Sequence, residues 1–145
     1  KLIPLTIYRA AKLQQIPVYG DGKNVRDWLY VNDHVRALWL VLNKGKVGDS
    51  YNIGGDNEWP NIEIVETICD LVDERFGRAK GTARGVIEFV KDRAGHDFRY
   101  AIDSRKIQNE LGWQTVDSFE IDLKRTVDWY LNSQTWVDSI LQENG

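Results

Sequence analysis

Residues 17–34 read PVYGDGKNVRDWLYVNDH, and the fold turns on how that stretch divides. Ile16–Tyr19 is a short apolar strand candidate, closed by the turn residues Gly20, Asp21 and Gly22. A second apolar run, residues 28–31, reads as another strand, with Arg26 held between it and the glycine turn. Asn32 or Asp33 can cap the helix that follows to about Asn43, and Gly45 can stop it. A glycine turn beside a half-enclosed arginine and aromatic rings is a combination suited to ligand binding, yet nothing between it and Lys1 could hold a cofactor.

Outward from this stretch, residues 4–13 carry an amphipathic helical pattern, with Pro4 where a first turn tolerates proline. The helix over 32–43 is apolar nearly all round, which predicts burial on more than one side. Residues 50–53 form a strand candidate stopped by Gly54 and Gly55. Asn61 can cap a helix to about Phe76, with Ile64, Ile68, Leu71 and Val72 as its inner stripe and Gly77 as its stop. Residues 78–85 read as a loop, 86–90 as a strand and 100–102 as another. Asp103 can cap a short helix carrying Ile107 and Leu111, ended by Gly112. Asp117 and Glu120 have capping-box spacing before the stripe Phe119, Leu123, Val127 and Tyr130. A last helix would carry Trp136, Val137, Ile140 and Leu141. The expected class is α/β, with short strands, several helices and no long parallel βαβ series.

The 145 residues suit one domain, and 42% hydrophobic with 28% charged residues is an ordinary globular composition. A net charge of −3 argues against a general nucleic-acid binder. No apolar run is long enough for a membrane span, so a cytoplasmic protein is expected. The single cysteine, Cys69, excludes an internal disulfide and a cysteine-based zinc cluster, and its apolar neighbours predict an inert buried thiol. His34 and His96 have no metal-ligand spacing. There is no G-x-S-x-G elbow, no P-loop and no glycine-rich dinucleotide fingerprint. The chain has no methionine, which predicts a piece of a longer protein, and its six tryptophans and six tyrosines supply apolar walls with polar handles.

What remains is a set of cationic and aromatic groups suited to a nucleotide diphosphate, whose pyrophosphate takes arginine forks, backbone amides or a helix N-terminus. Arg26 follows the glycine turn, Arg93 and His96 follow the strand ending at Val90, Asn61 marks a helix start and Tyr19 offers a flat face. Each has a plainer reading. Arg26 can pair with Asp27 or Asp33, Asn61 can be only a cap, Tyr19 a core-edge residue and His96 a satisfied surface histidine.

Four stretches together carry a resemblance: KLIPLTIYRA at 1–10, PVYGDGKNVRDWLYVNDHVRAL at 17–38, YNIGGDNEWPNIEIV at 51–65 and FVKDRAGHDFRYAID at 89–103. In this order they resemble the C-terminal part of the dTDP-glucose 4,6-dehydratases, members of the extended short-chain dehydrogenase/reductase family. The YGDG…RDW element marks the superfamily, whereas KLIP, the GGDNEWPN run and DRAGHDFRYAID mark the dehydratases. The resemblance implies the C-terminal portion of an extended fold lacking most of its Rossmann domain. Residues 1–145 would form a nucleotide-sugar-binding domain, with about 27–55 packing back on an NAD-binding domain. It further implies that Lys1 and Leu2 contact the nucleotide sugar and that Pro17, Val18 and Tyr19 line the thymine pocket. Arg26 would meet the pyrophosphate with help from Asn61, and Arg93 and His96 would close the far side. Where the family carries a proline, this chain has Ala94, which loosens that loop.

In the family NAD takes a hydride from the sugar C4, water leaves across C5 and C6, and the hydride returns to C6. The Tyr-x-x-x-Lys pair, threonine and Asp-Glu pair that do this precede the KLIP segment. The resemblance therefore implies a dTDP-sugar partner, NAD in the full-length family but none bound by this chain, and no catalytic residue here. Other readings are a non-catalytic nucleotide-sugar or protein-binding module, or part of another extended-family enzyme such as a UDP-sugar decarboxylase or a GDP-mannose dehydratase. A helix made to pack on a further domain predicts an exposed apolar patch on this chain alone, or self-association that covers it.

Overall fold

The apolar periodicity at the chain start folds as helix α1, Leu2–Lys12, which buries Thr6, Ile7 and Ala10 and ends where Leu13 turns left-handed at φ 51°. Strand β1 (Ile16–Tyr19) and the short strand β2 (Val25–Asp27) follow, then helix α2 (Val31–Lys44), strand β3 (Glu58–Pro60) and helix α3 (Asn61–Arg75). A 3-10 turn at Ala83–Val86 leads into strand β4 (Ile87–Val90), and helices α4 (Arg105–Leu111), α5 (Phe119–Asn132) and α6 (Gln134–Glu143) complete the order. The structure is a computed structural model describing residues 1–143, with side chains through residue 140; the expectation for the Leu141 side chain falls outside the described residues. The class is α/β with short strands and several helices, as the sequence predicts.

The chain divides into two compact units. One comprises Lys1–Lys23, Asn61–His96 and the residues from Leu123 on; the other comprises Asn24–Pro60 and Asp97–Asp122. In the first, β1 and β4 pair in parallel, with Ile16 opposite Ile87 and Tyr19 opposite Val90. The alternation along β1 sends Ile16 and Val18 into the core and leaves Tyr19 exposed. Helix α3 packs on α1 and supplies Ile64, Val65, Ile68, Cys69 and Val72 to that core. Arg78 donates to the carbonyls of Ala10 and Ala11 at 3.0 and 2.7 Å, adding a second donor at Ala10, which already accepts the Leu13 N–H at 3.2 Å, and supplying one to Ala11 at the end of α1. The buried Asp73 carboxylate accepts the Ala83 N–H at 3.0 Å, so the expected loop over 78–85 is pinned and contains the start of the 3-10 turn.

In the second unit β2 and β3 are antiparallel, with Val25 opposite Pro60, Arg26 opposite Trp59 and Asp27 opposite Glu58. Its core gathers Ala37, Ile107 and Trp113, with Leu29, Leu40, Val41, Tyr51, Ile53 and Leu111 packed around them. The Trp113 indole N–H donates to the Asp33 carbonyl at 3.1 Å.

The strands expected over 28–31, 50–53 and 100–102 do not form. Asp27 explains the first. Its carboxylate accepts the N–H groups of Gly55 and Asn57 at 3.0 and 2.9 Å, drawing the 54–57 loop against the chain so that pairing falls on 25–27. Trp28 then donates to the Asn57 carbonyl at 2.9 Å, and the chain enters α2 directly at Val31. The apolar residues Tyr51 and Ile53 reflect packing against the core rather than a ladder, and 100–102 is represented only by an isolated bridge between Val25 and Arg99.

Two N-caps also differ from expectation. Tyr30 precedes α2 without a side-chain cap, because Asp33 lies inside the first turn and binds Arg36 at 2.5 Å and the Val116 N–H at 3.4 Å. Gly45 does end α2, but in an extended conformation at φ −65°, where a Cβ would lie 2.5 Å from the Val41 carbonyl oxygen. Ser104, not Asp103, holds the cap position of α4. Asp103 instead accepts from the Arg105 guanidinium and, secondarily, its backbone N–H, which hold its carboxyl down at about 2. Gly77 and Gly112 both turn left-handed, at φ 63° and 68°, as helix stops should.

Candidate functional site

Parallel pairing of β1 with β4 brings the segments that follow their C-terminal ends together, the place where α/β sheets commonly bind ligands. Gly20 continues the pairing by donating to the Val90 carbonyl at 2.9 Å. It sits at φ 60°, where a Cβ would come within 3.2 Å of the Asp92 carboxylate. The chain after β4 then turns, with the His96 N–H donating to the Arg93 carbonyl at 3.2 Å and Gly95 at φ 70°.

Around that turn three of the sequence-predicted residues meet. The Arg93 guanidinium lies over the Tyr19 ring at 5.4 Å, and the His96 ring meets Tyr19 edge-on at 6.3 Å between centroids. Asp92, which the sequence reading did not single out, ties them. Its Oδ1 accepts the Arg93 N–H at 2.8 Å and bonds the His96 Nδ1 at 2.6 Å, and that histidine bond is the main reason its carboxyl is held below the ordinary value. The signal was present as the four-residue spacing from Asp92 to His96 across Gly95. Tyr19 itself is 45% exposed, so an aromatic side chain meets solvent beside two nitrogen-bearing groups.

Pro17 is half-buried, and Val18, at 2% exposure, belongs to the core behind Tyr19. Asn61 begins α3, but its Oδ1 is buried without a hydrogen-bond partner among the described residues, so it does not cap the helix. The Gly22 carbonyl does part of that work by accepting the Ile62 N–H at 2.9 Å. Gly22 is held to glycine there, since at φ 74° a Cβ would lie 2.8 Å from the Ile62 Cβ and 2.9 Å from Val18 Cγ1. Lys1 and Leu2 open α1, and Lys1 lines a mostly apolar cavity of about 300 Å³ with Pro4, Leu5, Tyr8, Trp136 and Val137.

Arg26 lies in the second unit, on β2. Its guanidinium donates to the carbonyls of Asp97 at 2.9 Å and Val25 at 2.6 Å, and lies over the Tyr100 ring at 4.5 Å. The carboxylates near it in sequence are engaged elsewhere, Asp27 with the 54–57 loop and Asp33 with Arg36. Tyr100 and Asp97 were not singled out in the sequence, and their distance from Arg26 along the chain leaves no local pattern to find them by.

Cys69 is fully buried, and burial pushes its thiol up to about 12, as an unreactive core cysteine requires. Among the described residues no group of three or more His, Cys, Asp or Glu side chains could hold a metal, and no helix is long and apolar enough to cross a membrane. Gly20 and Gly22 follow a strand but lead into β2 rather than a helix N-terminus, so they do not fit the pyrophosphate of NAD.

A family model described as GDP-mannose 4,6 dehydratase matches residues 1–126. A dTDP-glucose 4,6-dehydratase from Xanthomonas campestris pv. campestris is 53% identical over 97% of this chain, which spans 40% of that enzyme's length. Among solved structures, a dTDP-glucose 4,6-dehydratase from Bacillus anthracis in complex with NAD aligns with a TM-score of 0.81 at 48% identity, over 94% of this chain and 40% of that one. A dTDP-glucose 4,6-dehydratase from Streptomyces venezuelae with NAD and TYD bound aligns with the same TM-score at 39% identity and the same coverage.

Proposed function

This chain belongs to the GDP-mannose 4,6 dehydratase family, and from that premise we propose that it is the substrate-binding part of an NAD-dependent dTDP-glucose 4,6-dehydratase. The observation that carries the reading is the tyrosine face at the ends of β1 and β4, flanked by Arg93 and His96 and tied by Asp92. An aromatic plate beside a guanidinium suits a nucleotide, whose base stacks on the ring and whose phosphate, carried on the sugar, meets the cation. Within the first unit Tyr19 takes the thymine, with Pro17 beside it and Val18 supporting it from the core. Arg93 and His96 close the far side, while Lys1, Leu2 and Asn61 contact the rest of the nucleotide sugar. Within the second unit Arg26 is assigned the pyrophosphate.

Dehydration of dTDP-glucose to the 4-keto-6-deoxy sugar nucleotide is a property of the whole enzyme. No chemical step is assigned to residues of this chain; they bind and orient. Residues 27–55 include α2, whose Val35, Leu38, Trp39 and Leu42 are more than half exposed. We assign this surface to the NAD-binding part of the longer protein, with a second copy of the chain as the alternative occupant.

Calorimetry with dTDP, UDP and GDP tests the proposal. Preference for dTDP, weakened in R26A and R93A, supports it. Equal affinity for the three nucleotides points to another enzyme of the extended family, and a folded protein that binds none of them ends the nucleotide-sugar reading.

A further inference from the structure

We infer that Tyr100 is a positioning residue that holds the Arg26 guanidinium in one plane for a phosphate-type anion; this rests on the nucleotide-sugar reading above. The segment carrying Tyr100 runs beside β2. Val25 donates to the Phe98 carbonyl at 2.7 Å and accepts from the Tyr100 N–H at 3.1 Å, on either side of the bridge between Val25 and Arg99. That backbone ladder sets the Tyr100 side chain next to Arg26 without any help from the arginine. The Tyr100 hydroxyl then donates to the Asp97 carboxylate, which fixes the ring from its far end.

On this plate lies the guanidinium, with Cζ 4.5 Å from the ring centroid. One edge of the fork is held by backbone carbonyls, Nη2 on Asp97 at 2.9 Å and Nη1 on Val25 at 2.6 Å and Phe98 at 3.4 Å. An arginine side chain is long and flexible, and its fork matches a phosphate only when its plane is set beforehand. The ring face and the carbonyl edge together set that plane.

The test compares wild type, Y100F, Y100L and R26A for binding of dTDP and of thymidine, which lacks the phosphates. Tyr100 is 52% exposed, so neither substitution opens the core. The expected result is that Y100L weakens dTDP binding about tenfold, toward the R26A value, while Y100F stays within about threefold of wild type. Thymidine binding should be the same in all four proteins. Y100L binding dTDP as wild type does, with R26A weakened, overturns the positioning role and leaves the proposed function standing. Equal loss of thymidine and dTDP in Y100L also overturns it, by showing a general disturbance. Wild type that binds no dTDP removes the nucleotide reading and this inference with it, whereas R26A that binds dTDP as wild type does removes the pyrophosphate role of Arg26 and this inference while the nucleotide reading stands. Independently of any ligand, the Arg26 δ-proton resonances should show an upfield ring-current shift in wild type and Y100F that Y100L abolishes; unshifted resonances in wild type count against the stacking itself.

Discussion

Asp92 accepts two hydrogen bonds on one carboxylate oxygen, so its charge state governs how firmly the turn carrying Arg93 and His96 is held. The bond from His96, aided by the Arg93 amide, keeps its carboxyl below the ordinary 3.8. A carboxyl lowered by folding contributes fully above its unfolded value and loses that contribution as pH falls through the folded one. The His96 ring resonances of wild type should therefore show a transition below pH 3.8 that reports release of Asp92, and D92N should lack it. D92A should in addition lose protection of the Arg93 amide and weaken dTDP binding about threefold to tenfold; unchanged amide exchange would show that Asp92 is not the tie. At this scale the sequence was partly readable. Arg93 and His96 were found because they follow a strand end, and Asp92 could have been found by spacing. Tyr100 could not, since a cation over a ring is a property of chain segments brought together by folding.

Among the elements, those set by local chemistry were the legible ones. Strands β1 and β4 carry apolar alternation between turn signals, and α1 and α3 have clear inner stripes, so each stands where periodicity puts it. Two of the misplaced features come from a side chain engaged elsewhere. Asp27 moved the pairing to 25–27 by capturing two loop amides, and Asp33 left the cap position for Arg36 and Val116. Two substitutions test the junctions that result. Gly22→Ala must accept a positive φ and a 2.8 Å approach to Ile62, and it strains the carbonyl that receives the first turn of α3. A loss of about 3 kcal/mol is expected in urea unfolding, and a neutral change would show that the turn can relax. Trp113→Ala should cost about 3–5 kcal/mol, since the indole is 1% exposed and its N–H serves the Asp33 carbonyl. Trp113→Phe, which keeps one aromatic ring and loses the bond, should cost less than the alanine variant, about 2–3 kcal/mol.

For the whole molecule the informative surface is α2. Val31, Val35, Leu38, Trp39 and Leu42 follow helical spacing along one side, and Trp39 and Leu42 are 66% and 78% exposed. The sequence showed that the helix is too apolar for a solvent face, but not which occupant covers it, because burial against another body leaves the same composition as burial in a core. The double substitution W39E/L42E should abolish binding of an apolar dye and any concentration-dependent association seen by light scattering. It should leave the unfolding free energy within about 0.5 kcal/mol of wild type. A wild-type chain that stays monomeric and binds no dye would show that this face needs no cover.

The lone thiol of Cys69 gives the first unit a reporter that the second does not share. Held at about 12 while buried, it reacts with a disulfide reagent near neutral pH only when its surroundings open and its acidity returns to that of a solvated cysteine. Trp28, Trp39, Trp59 and Trp113 lie in the second unit and Trp129 and Trp136 in the first, so a W129F/W136F chain gives the second unit a separate optical signal. Labelling kinetics of the thiol and denaturant-induced fluorescence change, read on one sample, would therefore time the opening of the two units separately and reveal whether a nucleotide that steadies one also slows the other.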